Sequence, residues 1–238
     1  AHVPDINDFV AGFQILLKPG GVATFEFPHL LNLIQRSEFD TIYHEHYSYL
    51  SLHNTQQIFA AHNLAVFDVE EISSHGGSLR LFVCHAGNDR QPVQPSVARI
   101  LAKEEHAGLT RLDGYLGFEA KAQKVKRDLL TFLIAAKEAG QTVAGYGAPA
   151  KGNTLLNYCG IRTDLLAFTV DRSPHKHGKF LPGTRIPVFL PDHILSARPD
   201  YLLILPWNLQ DEIMNQMNAI RDWGGKFVVP IPKLQVLP

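Results

Sequence analysis

The sequence predicts an α/β protein in three successive parts: a sheet region over residues 1–90, a helical bridge over 91–140 and a parallel sheet with covering helices over 141–238. Three observations lead there. Short apolar runs alternate with stretches of helical periodicity. Two of the early runs meet across a glycine-bearing turn, the mark of a hairpin. The later runs are almost continuously apolar, as strands buried on both faces of a parallel sheet must be.

Asp5 or Asn7 can cap a first helix whose apolar positions Phe9, Val10, Phe13, Leu16 and Leu17 keep helical spacing, and KPGG (18–21) ends it. VATFEF (22–27) reads as a buried strand, followed by short helices over about 30–36 and 55–61. LAVFDVEEI and SLRLFVC are strands joined across SSHGG, whose glycines permit the positive φ of a tight antiparallel connection. AGNDRQPVQP (86–95) is a polar break, and 96–139 is helical, with capping candidates at Ser96 and Asp113. Beyond Gly140 the order is TVAGYG, a helix near 150–158, LLAFTVD, YLLILP, a helix near 210–222 starting by Asp211, and KFVVPI.

Composition narrows the functions. The 238 residues suffice for one large domain or two smaller ones. A net charge of -1 provides no field to attract nucleic acid or an anionic membrane. Cys84 and Cys159 form no CxxC, so neither a disulfide framework nor a thiolate zinc site is expected within the chain, and the cytoplasm is the expected compartment. No apolar run reaches the roughly 18 to 20 residues of a membrane span. The chain begins without Met, in what reads as a loop before a helix, and is expected to be a piece of something longer.

YHEHYSYL (43–50) concentrates proton-handling side chains. His44 and His46 have the spacing of a metal pair, but no HExxH and no second pair accompany them. A carboxylate beside an imidazole is instead an acid/base unit: Glu45 orients His46 and stabilises its protonated form, while a nearby phenol donates to developing charge. GYGAPAKGNT (145–154) offers a glycine turn at a helix start that suits a phosphate, with Tyr146, Lys151, Asn153 and Thr154 as binding candidates. Asp171 falls near where a dinucleotide fold places its ribose-binding acid, and the competing reading is a tight turn packing helix on strand without ligand. GGSLR (76–80) gives Ser78 and Arg80 as a second anion-binding pair, with a structural ion pair as the alternative for Arg80.

LKPGGVATFEFP resembles the late part of a class I S-adenosylmethionine methyltransferase domain. With AHVPD, FDTIYHEHYSYLS and GYGAPAKGNT, nearly the whole chain resembles the nucleotide-sugar C-methyltransferases, which methylate a deoxysugar carbon. The resemblance implies the last part of a methyltransferase sheet, then the bridge, then a Rossmann-like domain. It implies S-adenosylmethionine held chiefly by segments outside this chain, and zinc only in a cysteine-rich N-terminal domain that the chain lacks. The implied partner is a nucleotide-diphosphate sugar. Tyr43, Glu45 and His46 match the family's active-site motif, with His2 a further match: His46 as base, Glu45 as its orienting carboxylate or an alternate base, Tyr43 or His2 at the enolate oxygen, and Tyr47 and Tyr49 packing. An NAD-dependent sugar oxidoreductase or epimerase, and a non-catalytic nucleotide-binding module, are the alternatives.

Overall fold

The computed structural model describes all 238 residues and divides into two units, Ala1–Gln35 with His44–Phe118, and Arg36–Tyr43 with Glu119–Pro238. The first unit begins with α1 (Ile6–Leu16), capped by Asp5, whose carboxylate accepts from the backbone N–H of Asn7 and Asp8 at 3.0 Å each. β1 (Ala23–Pro28), α2 (Leu30–Gln35), α3 (Leu52–Ala61), β2 (Leu64–Ile72), β3 (Ser78–His85) and α4 (Pro95–His106) complete it.

β3 lies at the centre of an antiparallel sheet of order β1-β3-β2, with Phe25 and Val69 both registered on Leu81. The connection from β2 to β3 turns through His75, Gly76 and Gly77 at φ 55, 98 and 131, left-handed values that explain the paired glycines. Leu79, Leu81 and Val83 of β3 are fully buried, with Leu52 and Phe59 of α3 and Val97 and Ile100 of α4 in the same core.

The second unit contains most of α5 (Phe118–Glu138), then β4 (Val143–Tyr146), α6 (Ala150–Cys159), β5 (Thr169–Val170), β6 (Val188–Phe189), α7 (His193–Ala197), β7 (Tyr201–Ile204), α8 (Gln210–Gln216), β8 (Lys226–Val229) and β9 (Gln235–Leu237). Its sheet runs β6-β5-β4-β7-β8-β9, parallel except for β9. The strand order reverses at β4, as in a doubly wound, Rossmann-like sheet. Ala144, Val170, Leu202, Leu203, Ile204, Phe227 and Val228 are fully buried, as are Leu129 and Leu133 of α5 and Leu155 and Leu156 of α6.

Three expectations change. The helices of the 91–140 bridge do not stand apart: α4 packs on β2 and α3, while α5 from Glu119 belongs to the second unit. Ser96 is not a cap; α4 begins after Gln94 with Pro95 at its first turn, and the Ser96 hydroxyl donates to the Asp68 carboxylate. Between LLAFTVD and YLLILP, where the sequence suggests no strand, the structure adds β6, whose two residues are too few to show a period. No helix is long and apolar enough to cross a membrane.

Candidate functional site

In the first unit the loop after His44 is tied to the chain's beginning. The backbone N–H groups of Tyr47 and Ser48 donate to the Ala1 carbonyl at 2.8 and 3.4 Å, which brings His2 beside His46 with ring centroids 5.0 Å apart. Tyr49 meets His46 edge-on at 6.1 Å. Partial loss of water first, and then His46 and His75, lower the His2 pKa from its ordinary value, while Glu45 pulls it upward. Glu45 is exposed and His46 half-buried, so a carboxylate and two imidazoles share one solvent-facing surface.

The far end of this loop is anchored from below. Leu30 N–H donates to the Leu50 carbonyl at 3.0 Å, and Ser51 caps α3. Glu104, on α4, accepts from the N–H groups of Leu52 (2.7 Å) and His53 (2.8 Å) and faces His29 Nε2 at 2.7 Å, both side chains being almost completely buried. Glu104 thereby grips both the end of β1 and the start of α3. An apolar cavity of about 300 Å³ adjoins His2 and is walled chiefly by Phe9, Phe13, Phe25, Phe27 and Phe59.

Tyr43 is the last residue of a segment that belongs to the second unit, so the sequence motif is divided between Tyr43 and His44. Within that unit, the turn Phe39–Thr41 lies against α6, with Phe39 packed on Tyr158 at 4.9 Å. Asp40 is wholly buried and accepts from Trp207 Nε1 at 2.7 Å. Lys151 is buried too; it donates to Asn208 Oδ1 at 2.9 Å and sits 4.4 Å over the Trp207 ring. Burial lowers its pKa, against the pull of Asp40 and Glu38. Burial raises Glu38 to about 7 and Asp40 to about 6, opposed at Asp40 by the Trp207 hydrogen bond and Lys151. Glu38 Oε1 and Asp40 Oδ1 have no hydrogen-bond partner.

The glycine loop has its own local explanation. A Cβ on Gly145 would lie 2.8 Å from Thr169 Oγ1, one on Gly147 2.6 Å from Pro206 Cδ and one on Gly152 2.8 Å from Leu205 Cβ, so close packing requires each glycine. Asp171 is turned onto this loop: its carboxylate accepts from Ala148 N–H (2.7 Å), Ser173 N–H (2.8 Å) and Lys176 (3.2 Å). Its pKa is lowered, because these donors outweigh its desolvation. Occupied in this way, Asp171 has little left for the ribose of a dinucleotide. Tyr146 donates to Gln216 at 2.6 Å and Thr154 to the Ala150 carbonyl at 3.2 Å, while Asn153 keeps a buried Oδ1 without a partner.

In the first unit, the Ser78 hydroxyl is buried and donates to the Ser74 carbonyl at 3.0 Å. Arg80 pairs with Glu26 at 3.0 Å and Glu70 at 3.6 Å, the ion-pair reading of this residue. No three His, Cys, Asp or Glu side chains gather as a metal site. His29 and Glu104 were not signalled by any sequence motif; Asp40 lies inside FDTIYHEHYSYLS, but its bond to Trp207 was not legible there, and only the fold brings these residues to their positions.

Residues 73–232 match the family described as the C-methyltransferase C-terminal domain. Over 237 residues the chain is 39% identical to C-methyltransferase NovU of Streptomyces niveus, an alignment covering 100% of this chain and 56% of that relative. The chain thus spans little more than half the length of the relative it matches. Together these two matches place the chain in the C-methyltransferase family.

Proposed function

We propose that the full-length protein is an S-adenosylmethionine-dependent C-methyltransferase whose substrate is a nucleotide-linked keto-deoxysugar, methylated on the carbon beside its carbonyl. The observation that carries this reading is the pairing of His2 with His46, 5.0 Å apart, next to Glu45. A proton beside a carbonyl is acidic because the resulting charge moves onto oxygen, so its removal needs a base and a donor for the enolate.

His46 serves as the base, and Glu45 stabilises the imidazolium that forms. The lowered pKa of His2 disfavours a second cation beside His46 and favours the neutral ring, whose N–H can donate to the enolate oxygen. Tyr43 is the alternative oxyanion donor. One such donor contributes about 3 to 4 kcal/mol in comparable sites.

S-adenosylmethionine supplies an electrophilic methyl group when bound. The first unit's cavity is walled chiefly by phenylalanines, with His2, Thr24, Glu26 and Thr55 as its polar members, and the part of this chain's own residues is the proton chemistry.

The test uses full-length enzyme and a keto-sugar nucleotide in deuterated water. His46→Ala should abolish most methyl transfer and, in parallel, solvent-proton exchange at the reacting carbon, while S-adenosylmethionine still binds. Wild-type rates of exchange and methylation in that variant would remove His46 from the chemistry.

A further inference from the structure

Open α/β sheets bind ligands at the carboxyl ends of their strands, where the strand order reverses. In the second unit that point lies between β4 and β7, and the loops leaving these strands carry Gly147, Trp207 and Asn208. The groups found there belong to the protein itself. The turn Phe39–Thr41 lies against α6, the helix that follows β4, and Asp40 takes the indole N–H of Trp207, just beyond β7. Lys151, at the start of α6, bonds to Asn208 and supplies the positive charge opposite Asp40 and Glu38. The turn is closed internally, because Thr41 donates to the Glu38 carbonyl through both its N–H (3.1 Å) and its hydroxyl (2.7 Å).

We infer that the ligand crevice of this Rossmann-like unit holds the chain's own segment 36–43, and that Asp40, through Trp207, is a positioning residue for Tyr43. Two further observations support it. Asp40 is fully buried, and a carboxylate is kept inside a protein only when it is hydrogen-bonded or paired. Tyr43 follows Asp40 by three residues and ends the segment grouped with this unit, so fixing the turn limits where the phenol can be. The α/β unit is then a mount for part of the catalytic motif. The inference rests on the role proposed for Tyr43 in methyl transfer.

The experiment compares full-length wild-type enzyme with Asp40→Ala, Tyr43→Phe and the double variant. It measures kcat, KM for the keto-sugar nucleotide, and amide hydrogen exchange over 36–43. Asp40→Ala removes the acceptor that holds Trp207 and should reduce kcat by about 10- to 100-fold, the scale of a misplaced catalytic group, with KM changed less than about twofold and faster exchange over the segment. In the Tyr43→Phe background the same change should cause no further loss, because two residues acting through one group are not additive. Trp207→Phe deletes the same hydrogen bond from the other side and should reproduce the pattern if Asp40→Ala fails to fold. Equal losses from Asp40→Ala in both backgrounds would overturn the inference, as would unchanged kcat once the segment has lost its protection. Wild-type turnover by Tyr43→Phe with 36–43 still protected would instead defeat the catalytic reading of Tyr43, and this inference with it.

Discussion

Replacing Glu38 by Gln should alter stability in a pH-dependent way, the variant gaining on wild type as pH rises. Burial raises the Glu38 carboxyl from 4.5 to about 7 in the folded protein. A folded pKa above the unfolded value means that the native state binds the proton more tightly. The resulting stability is fully present below about pH 4.5 and is lost as pH rises through 7. At about 1.4 kcal/mol per pH unit, ionising Glu38 costs the folded state about 3 kcal/mol, of which 2 to 3 kcal/mol is incurred between pH 5 and pH 8. Gln cannot titrate. The stability difference between Glu38→Gln and wild type should therefore shift in the variant's favour by about 2 to 3 kcal/mol between these pH values, and the cost of burying an amide cancels in the comparison. Asp40 moderates the figure, since removing the Glu38 charge lets Asp40 ionise more readily. Urea unfolding at the two pH values measures the effect directly. An equal difference at both would show that Glu38 titrates normally and that its burial has no energetic consequence.

Two further predictions concern packing and a buried charge. Glu104→Ala leaves His29 and the N–H groups of Leu52 and His53 without their partner, and should lower stability by about 3 to 5 kcal/mol; a loss under about 1 kcal/mol in denaturant unfolding would mean that water replaces the carboxylate. Gly152→Ala sets a methyl 2.8 Å from Leu205 Cβ and should cost about 1 to 3 kcal/mol; an unchanged urea midpoint would contradict the packing account of this glycine.

What the sequence revealed depended on how local the cause was. The β2–β3 hairpin was legible because its turn needs positive φ values that SSHGG can adopt, and the α1 cap because Asp5 bonds only two and three residues ahead. Glu104 and Asp40 could not be found this way. Each looks like an ordinary polar residue on a helix or in a loop, and each is buried by a partner 75 or 167 positions distant, His29 and Trp207. The glycine loop was ambiguous for a physical reason: a turn that admits a phosphate and a turn that admits a close neighbouring chain require the same missing Cβ. Of the proposed catalytic cluster, Glu45 and His46 were signalled by their motif and His2 by the family resemblance alone, but the backbone bonds from Tyr47 and Ser48 to Ala1 that bring His2 to His46 were not signalled.

The tie between Asp40 and Trp207 also has a consequence during synthesis. A ribosome adds about 5 to 20 residues per second, so the 167 residues separating the two need roughly 10 to 30 s to be made. Throughout that interval the 36–43 segment has emerged without Trp207 or Asn208, for about the first two thirds of it without Lys151 as well, and two carboxylates destined for burial remain in water. The nascent chain thus carries its Tyr43 motif undocked until the strand and loop around 201–208 arrive. Nascent chains arrested before residue 207 should be cut by protease within 36–43, and chains released beyond it should resist.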